Sequence, residues 1–341
     1  MNDKPRLVLS RTQILAHRRR ASHLDKRLPS GRHSLERAAW AGLQDSMPRA
    51  AVLSVYARVE GTRPDVWEDP AFIQLWGPRF STYVVAARDH AVFSLGRLPD
   101  DPAGLRRATD TADRLAAFIG HDKREQNATG KAMGVNANSF RYAGPTGRVL
   151  IRWEGANRPL LWIVDPPDVE PADARLELAR RHLHIFGPAT ADSFQQWAGI
   201  KPTLARATYD ALAGELLPVS TPIGDGWILS EDEPSFLADP EPPSPVRLLP
   251  SGDTFYLLQG AERELLVPDA NRRPELWTSR VWPGALVVDG EVMGVWRRSG
   301  EKLTIEPWAS LPADTREAVE AEAESLPLPG LTRAISVRWE S

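Results

Sequence analysis

The sequence predicts an α+β chain in which three tandem helix–hairpin units precede a small β-rich C-terminal domain. Three observations predict it. Apolar residues recur at helical spacing in three successive blocks, each block closes on two short apolar runs around a turn, and beyond a proline-rich stretch at 239–245 the pattern changes to short strands. At 341 residues the chain exceeds the usual single-domain size, so about two to four domains are expected.

The first unit is expected over residues 1–98. Ser10 can cap a helix carrying Ile14 and Leu15, and Pro29-Ser30-Gly31 breaks the chain after it. Ser34 offers the next N-cap, before Leu35, Ala38, Ala39, Gly42 and Leu43 at helical spacing. Gln44-Asp45-Ser46 ends that helix or forms the turn after it. Pro48 suits a first helical position, and Ala51, Val52, Val55, Tyr56 and Val59 give the third helix its apolar face. Strands at 72–76 and 82–86 join through Gly77-Pro78-Arg79. Three helices followed by a hairpin is the winged-helix order.

The second unit, 99–168, opens with a helix over about 102–119, inward at Leu105, Ala108, Ala112, Leu115 and Ile119. A polar helical stretch at 123–133, a short one near 137–142 and strands at 148–153 and 159–164 follow, the strands turning at Gly155-Ala156-Asn157. The third unit, 169–238, has the cleanest spacing. Leu176, Ala179, Leu183 and Phe186 line a helix over 172–186, Thr190 caps a short helix with Phe194 and Trp197, and Thr203 caps the next. Strands at 218–222 and 227–230 flank Gly224-Asp225-Gly226, read as their turn. The linker leads to a β-rich domain over 246–341, with strands at 246–249, 255–258, 264–267, 284–289, 292–297 and 304–307, a helix at 312–325 and a last strand at 335–339.

Charge is uneven along the chain. The net charge is −3, yet residues 1–37 hold ten Lys or Arg against three Asp or Glu, while 312–325 is acidic. A basic end can track phosphates although the whole molecule is mildly acidic. A solvated helix face accounts for the same run equally well. The absence of cysteine removes disulfides, thiolate metal sites and a cysteine nucleophile together. None of the seven histidines forms HExxH, and His182 and His184 are expected on different sides of a helix, so no metal and no cofactor are expected. No apolar run approaches the ~20 residues that span a bilayer, and the N-terminus lacks a secretory pattern. A cytoplasmic, monomeric protein is expected.

The segment Gly42-Leu43-Gln44-Asp45-Ser46-Met47-Pro48-Arg49 resembles the short motif after the second helix of the AlkZ-like, crosslink-unhooking DNA glycosylases. The run from Pro283 to Arg297, with Val287-Val288-Asp289-Gly290-Glu291-Val292 at its centre, is similar to the same family, as is Leu248-Leu249-Pro250-Ser251-Gly252-Asp253. The resemblance implies a C-shaped assembly of tandem winged helices with a β domain, gripping duplex DNA. It also implies a Gln-x-Gln or Gln-x-Asp pair at the catalytic position and a hairpin that probes the minor groove, which the sequence does not place. Gln44 matches the first member of the pair, and Ser46 departs from the second.

That departure bears on the chemistry. A purine alkylated at N7 already carries positive charge, so its glycosidic bond breaks with modest help: a water held on the far face of the sugar and stabilisation of the developing cation. An amide can orient the water and a carboxylate can also take its proton. A serine hydroxyl can hydrogen-bond the water but supplies neither a base nor a counter-charge at neutral pH. Asp45 lies about 100° from its neighbours if the segment is helical, and within reach if it is a turn. Candidate catalytic residues are therefore Gln44, Asp45 and Ser46. Gln44 reads equally as a water-positioner or as a DNA contact in a binding-only relative, with a polar cap as the lesser alternative, and Asp45 and Ser46 are also ordinary turn residues. Candidate DNA contacts are Arg18, Arg19, Arg20, Arg49, Arg79, Arg141, Lys201 and Arg206, with surface arginine the plain alternative. A DNA-binding protein without chemistry is the second reading, and a scaffold that sequesters the alkylating drug or docks a protein is the third. The twelve tryptophans are read mainly as core.

Overall fold

A computed structural model describes residues 7–45, 49–153, 159–240, 242–328, 330–331 and 333–340. The chain enters as β1 (Leu7–Val8), and Ser10 then starts α1 (Arg11–Ala21) by a reciprocal cap. The Ser10 hydroxyl accepts from Gln13 N at 3.3 Å while Gln13 Oε1 accepts from Ser10 N at 2.9 Å. The second helix departs from expectation. α2 (Arg32–Ala38) begins ahead of Ser34, behind Gly31, with no side-chain cap. It also stops early, because Gly42 at φ 73 redirects the chain into β2 (Leu43–Gln44). Gln44 therefore sits on a strand, not at a helix end. α3 (Ala50–Arg58), β3 (Phe72–Trp76) and β4 (Thr82–Ala86) follow as expected, and Pro48, the expected start of α3, lies outside the described residues. These strands make a sheet in the order β2-β4-β3, and α4 (His90–Phe93) leaves it.

α5 (Pro102–Ile119) is capped by the Asp101 carboxylate on Gly104 N at 2.9 Å. The polar stretch after it splits into β5 (Arg124–Glu125) and α6 (Gln126–Met133), because the Glu125 carboxylate caps Asn127 N and Ala128 N. After 3-10 turns over 137–146, β6 (Val149–Trp153) and β7 (Pro159–Ile163) complete a sheet ordered β5-β7-β6. The expected turn at Gly155-Ala156-Asn157 lies outside the described residues.

The third block gives α7 (Pro171–Phe186), α8 (Ala191–Ala198), α9 (Pro202–Ala211), β8 (Leu216–Thr221) and β9 (Gly224–Leu229). Thr190 caps α8 as expected, whereas α9 starts at Pro202 without the Thr203 cap. The hairpin turns at residues 222–223, and Gly224-Asp225-Gly226 pair within β9. β1 joins this sheet parallel to β8, so the start of the chain closes the third sheet.

α10 (Glu233–Leu237) precedes the proline-rich linker and β10 (Val246–Leu249). Two expected strands are corrected here. Residues 254–256 form a 3-10 turn opened by Asp253, whose carboxylate accepts from Phe255 N, and the run at 264–267 is largely α11 (Glu262–Leu266). A short apolar run does not distinguish the two states by period. After α12 (Arg273–Leu276) come β11 (Gly284–Val288), β12 (Glu291–Ser299), β13 (Lys302–Pro307), α13 (Ala313–Glu324) and β14 (Ser336–Trp339). The sheet runs β10-β11-β12-β13-β14 with its last pair parallel. Asp289-Gly290, both at positive φ, make the expected two-residue hairpin loop. Val319 and Ala323 of α13 share a core with Leu248, Leu286 and Leu303 of this sheet.

The largest core is common property. It takes Leu15 from α1, Tyr83 from β4, Leu178 and Leu183 from α7, and Leu249, Phe255 and Leu266 from beyond the linker. None of the described helices is long and apolar enough to cross a membrane.

Candidate active site

Strand alternation sorts the motif. Gln44 pairs with Tyr83 of β4 and is half-buried, and its neighbour Asp45 points the other way, into the interior. The Gln44 carbonyl accepts from Arg79 Nη2 at 3.0 Å. Arg79 occupies the β3–β4 turn at φ 55. The loop after β10 closes against the amide from the other side. Gly252, at φ 74, is in a conformation that favours glycine, and a Cβ there would lie 3.0 Å from Gln44 Nε2 and press on the amide.

Asp45 is 4% exposed and both of its oxygens are engaged: Oδ1 accepts from Ala51 N at 3.0 Å and Oδ2 from Gln74 Nε2 at 2.7 Å. It caps α3 from outside the helix, where Arg49 in the left-handed region provides no side-chain cap of its own. Burial pushes the Asp45 carboxyl up to about 6 against the opposing pull of Ala51 N–H and the Arg49 charge. Enclosed and with both oxygens bonded, Asp45 is not carried forward as a catalytic carboxylate. Ser46 lies outside the described residues.

Gln74 passes the contact on. Its Oε1 accepts from Trp153 N at 2.8 Å, and the Trp153 carbonyl accepts from Arg49 Nη1 at 3.1 Å. The motif is thereby tied to β6 of the second sheet. Arg49 and Arg152 both lie over the Trp67 ring, at 3.7 and 4.4 Å from its centroid. A second tie comes from beyond the linker. Asp253 holds Arg58 by two bonds, at 2.7 and 2.8 Å, and accepts from the Ser54 hydroxyl at 2.7 Å, while the Thr254 hydroxyl donates to Gly42 O at 3.1 Å. A cavity of about 260 Å³ opens beside the start of α3, lined among others by Arg49, Ala50, Ser251, Trp282, Arg297 and Arg298.

The structure sorts the expected DNA contacts into three groups. Arg18 is 2% exposed and spends its guanidinium on Phe186 O and Gly187 O, and Arg19 is 8% exposed and paired with Asp25 at 2.8 Å. Both are structural cations, a correction that follows from α1 being packed on three sides. Arg20, Arg49 and Arg79 are half-buried and partnered. Arg141, Lys201 and Arg206 are exposed, Lys201 with an ion pair to Asp101 at 3.1 Å. Arg79 alone of the eight touches Gln44 through a recorded bond. Sequence reasoning missed Gly252 as a neighbour of Gln44, and Gln74, Asp253 and Thr254 as the partners that hold Asp45, α3 and Gly42 around it. Only the Gly252-Asp253 segment carried a signal, as part of the resemblance.

The histidines also regroup. His182 is enclosed by Phe186, Phe194 and Trp197, and burial lowers it to about 3. His17, His184 and Asp232 bring ligand-type atoms within 4.8 Å of one another, a grouping of three separate segments that the sequence did not reveal. His17 already uses one ring nitrogen on Ser235 Oγ and the other on His184 O, and Arg20 donates to the same Ser235 hydroxyl. The cluster reads as a hydrogen-bond network with a cation at its edge, a poor seat for a metal ion.

Comparisons with known proteins agree on one family. A family model described as DNA glycosylase AlkZ-like matches residues 136–327, more than half of the chain and all of it C-terminal to Gln44. A curated Streptomyces sahachiroi protein named interstrand DNA cross-link repair glycosylase is 30% identical over 162 residues, 45% of this chain and 42% of that protein. The aligned stretch therefore spans less than half of the relative's length. The solved structure of Streptomyces sahachiroi DNA glycosylase AlkZ matches with a TM-score of 0.79 at 18% identity, over 98% of this chain and 100% of that one. At that identity the match shows a shared fold.

Proposed function

The chain belongs to the AlkZ-like DNA glycosylase family, and on that premise we propose that it is a monofunctional DNA glycosylase hydrolysing the N-glycosidic bond of bulky or crosslinked N7-alkylpurines in duplex DNA. In this reading the three small sheets with their preceding helices are winged-helix units over 1–98, 99–168 and 169–238, followed by the β-rich domain at 246–341, and together they grip the duplex. Gln44 holds the attacking water. The water oxygen bonds to C1′, the C1′–N9 pair leaves with the purine and neutralises its N7 charge, and the water proton passes to solvent.

The observation that carries the reading is the seating of Gln44. Its carbonyl is held by Arg79, its amide is braced by Gly252, and the buried Asp45 cap fixes the backbone beneath it. An amide held in this way can orient a water in a fixed direction, which is what positioning of a nucleophile requires. Of the eight candidates, Arg20, Arg49, Arg79, Arg141, Lys201 and Arg206 remain as proposed DNA contacts. Incubating the protein with N7-methylated duplex and scoring free 7-methylguanine tests the proposal. Release is the expected result, and its absence at saturating protein refutes it.

A second reading is favoured by one feature, the serine at 46 where the family motif has an amide or carboxylate. It makes the chain a DNA-binding protein without chemistry. Salt-dependent affinity for duplex with no base release in a single turnover distinguishes it.

A further inference from the structure

A pocket of about 700 Å³ opens between the ends of α1 and α2, the turn after β4, and the place where α7 meets α10. Its charged lining is one-sided. Arg20, Arg37 and Arg88 face it, with His23, His33 and His184, and Glu231 is the carboxylate among its lining residues. Glu231 also lies in the field of Arg180.

The cations are poorly neutralised. Arg37 is exposed and has no hydrogen-bond or ion-pair partner among the described residues. Arg20 donates to the Ser235 carbonyl at 2.7 Å and the Ser235 hydroxyl at 3.1 Å, both uncharged acceptors. Arg88 pairs with Glu36 at 2.9 Å, but that carboxylate is shared with Arg32 at 3.2 Å. The half-buried His23 imidazole is lowered to about 4, chiefly by burial and then by the charges of Arg37 and Arg58. Such a concave surface, with cations in excess of the carboxylates that face them, attracts phosphate.

We propose that this pocket is a phosphate site that seats a stretch of the DNA sugar–phosphate backbone away from Gln44. The proposal rests on the duplex-binding reading given above. Two observations favour DNA over a free phosphate compound. With a net charge of −3, attraction of a polyanion must come from local patches of this kind. Trp40 in the pocket wall is also only four residues from Gln44, at most about 14 Å of extended chain. Measured from Trp40, the pocket therefore lies within about four base-pair steps of Gln44. The volume suits sugar and phosphate together more than a single ion.

Fluorescence anisotropy on plain, undamaged duplex tests this without requiring base release. The variants are Arg37→Glu and, as a control with the same charge change, Arg338→Glu on the exposed edge strand β14. Arg37 is exposed and unpartnered, so its folding cost is small, and an unchanged thermal transition verifies that. Arg37→Glu is expected to weaken binding about tenfold. It should also reduce the slope of log affinity against log salt by about one. Arg338→Glu should move neither. Wild-type behaviour of Arg37→Glu, or equal losses in both variants, overturns the proposal. Competition with pyrophosphate separates the sources: if Arg37→Glu abolishes pyrophosphate binding while duplex affinity stands, the site belongs to a free phosphate compound and the DNA assignment is wrong. Lack of glycosylase activity would sink the catalytic reading and leave this measurement intact.

Discussion

Replacing Asp253 by alanine should be among the most costly single changes in the molecule. Its carboxylate is enclosed and accepts four bonds: two from Arg58, one from Ser54 and one from Phe255 N. The Arg58 and Asp253 side chains are 3% and 0% exposed. Removing the anion leaves a guanidinium with no counter-charge in a region of low polarisability, which costs about 3–5 kcal/mol. Replacing both partners, as Arg58→Met with Asp253→Leu, removes the stranded charge and should recover about half of that. The remainder persists because Ser54 and Phe255 N lose their acceptor, at about 1–3 kcal/mol. Denaturant unfolding of wild type, both single variants and the double gives the coupling directly, provided the slope m stays constant. A loss below about 1 kcal/mol for Asp253→Ala, or additive single changes, would refute the view that this pair locks the loop after β10 onto α3. Because that loop carries Gly252 against Gln44, base release should fall in the same variant even at temperatures where it remains folded.

Two further changes probe the bed of Gln44. Gly42→Ala must adopt φ 73 and place a methyl 2.8 Å from Phe93, so we expect a loss of about 2–4 kcal/mol in thermal or denaturant unfolding; wild-type stability would mean that β2 is not fixed as described. Asp45→Asn should alter the pH dependence of stability. With a folded value of about 6 against 3.8, wild type has its full share of stability from this group below pH 3.8 and loses about 3 kcal/mol of it as pH rises through 6. The histidines lowered by burial, such as His182, work in the opposite sense, since the unfolded chain takes up their protons first as pH falls. The difference in unfolding free energy between Asp45→Asn and wild type cancels that background, and it should shift in favour of the variant between pH 4 and 7. A difference independent of pH contradicts the assignment.

Where the sequence carried a period, it could be read. The 102–119 helix, the 72–76 and 82–86 strands, and the Asp289-Gly290 hairpin stand where apolar spacing and turn residues put them. Errors fell where long-range contacts decide. Residues 264–267 lie mostly in a helix, and residues 7–8 join a sheet over two hundred residues away, through pairings that no local pattern encodes. The motif at 44 was found by resemblance, but its geometry was not. Helical spacing was carried one turn too far past Ala38, and the strand that replaces it sends Asp45 inward as a cap. The basic run at 18–20 shows the same limit. Charge marks a cation but not its partner, and Arg18 meets two carbonyls in the interior.

The most direct measurement is the single-turnover rate of 7-methylguanine release by wild type and Gln44→Ala, at protein concentrations that saturate the duplex so that affinity does not enter. Loss of the residue that orients the water should slow release by at least about 100-fold. Equal rates in the two proteins would remove Gln44 from the chemistry and the account with it.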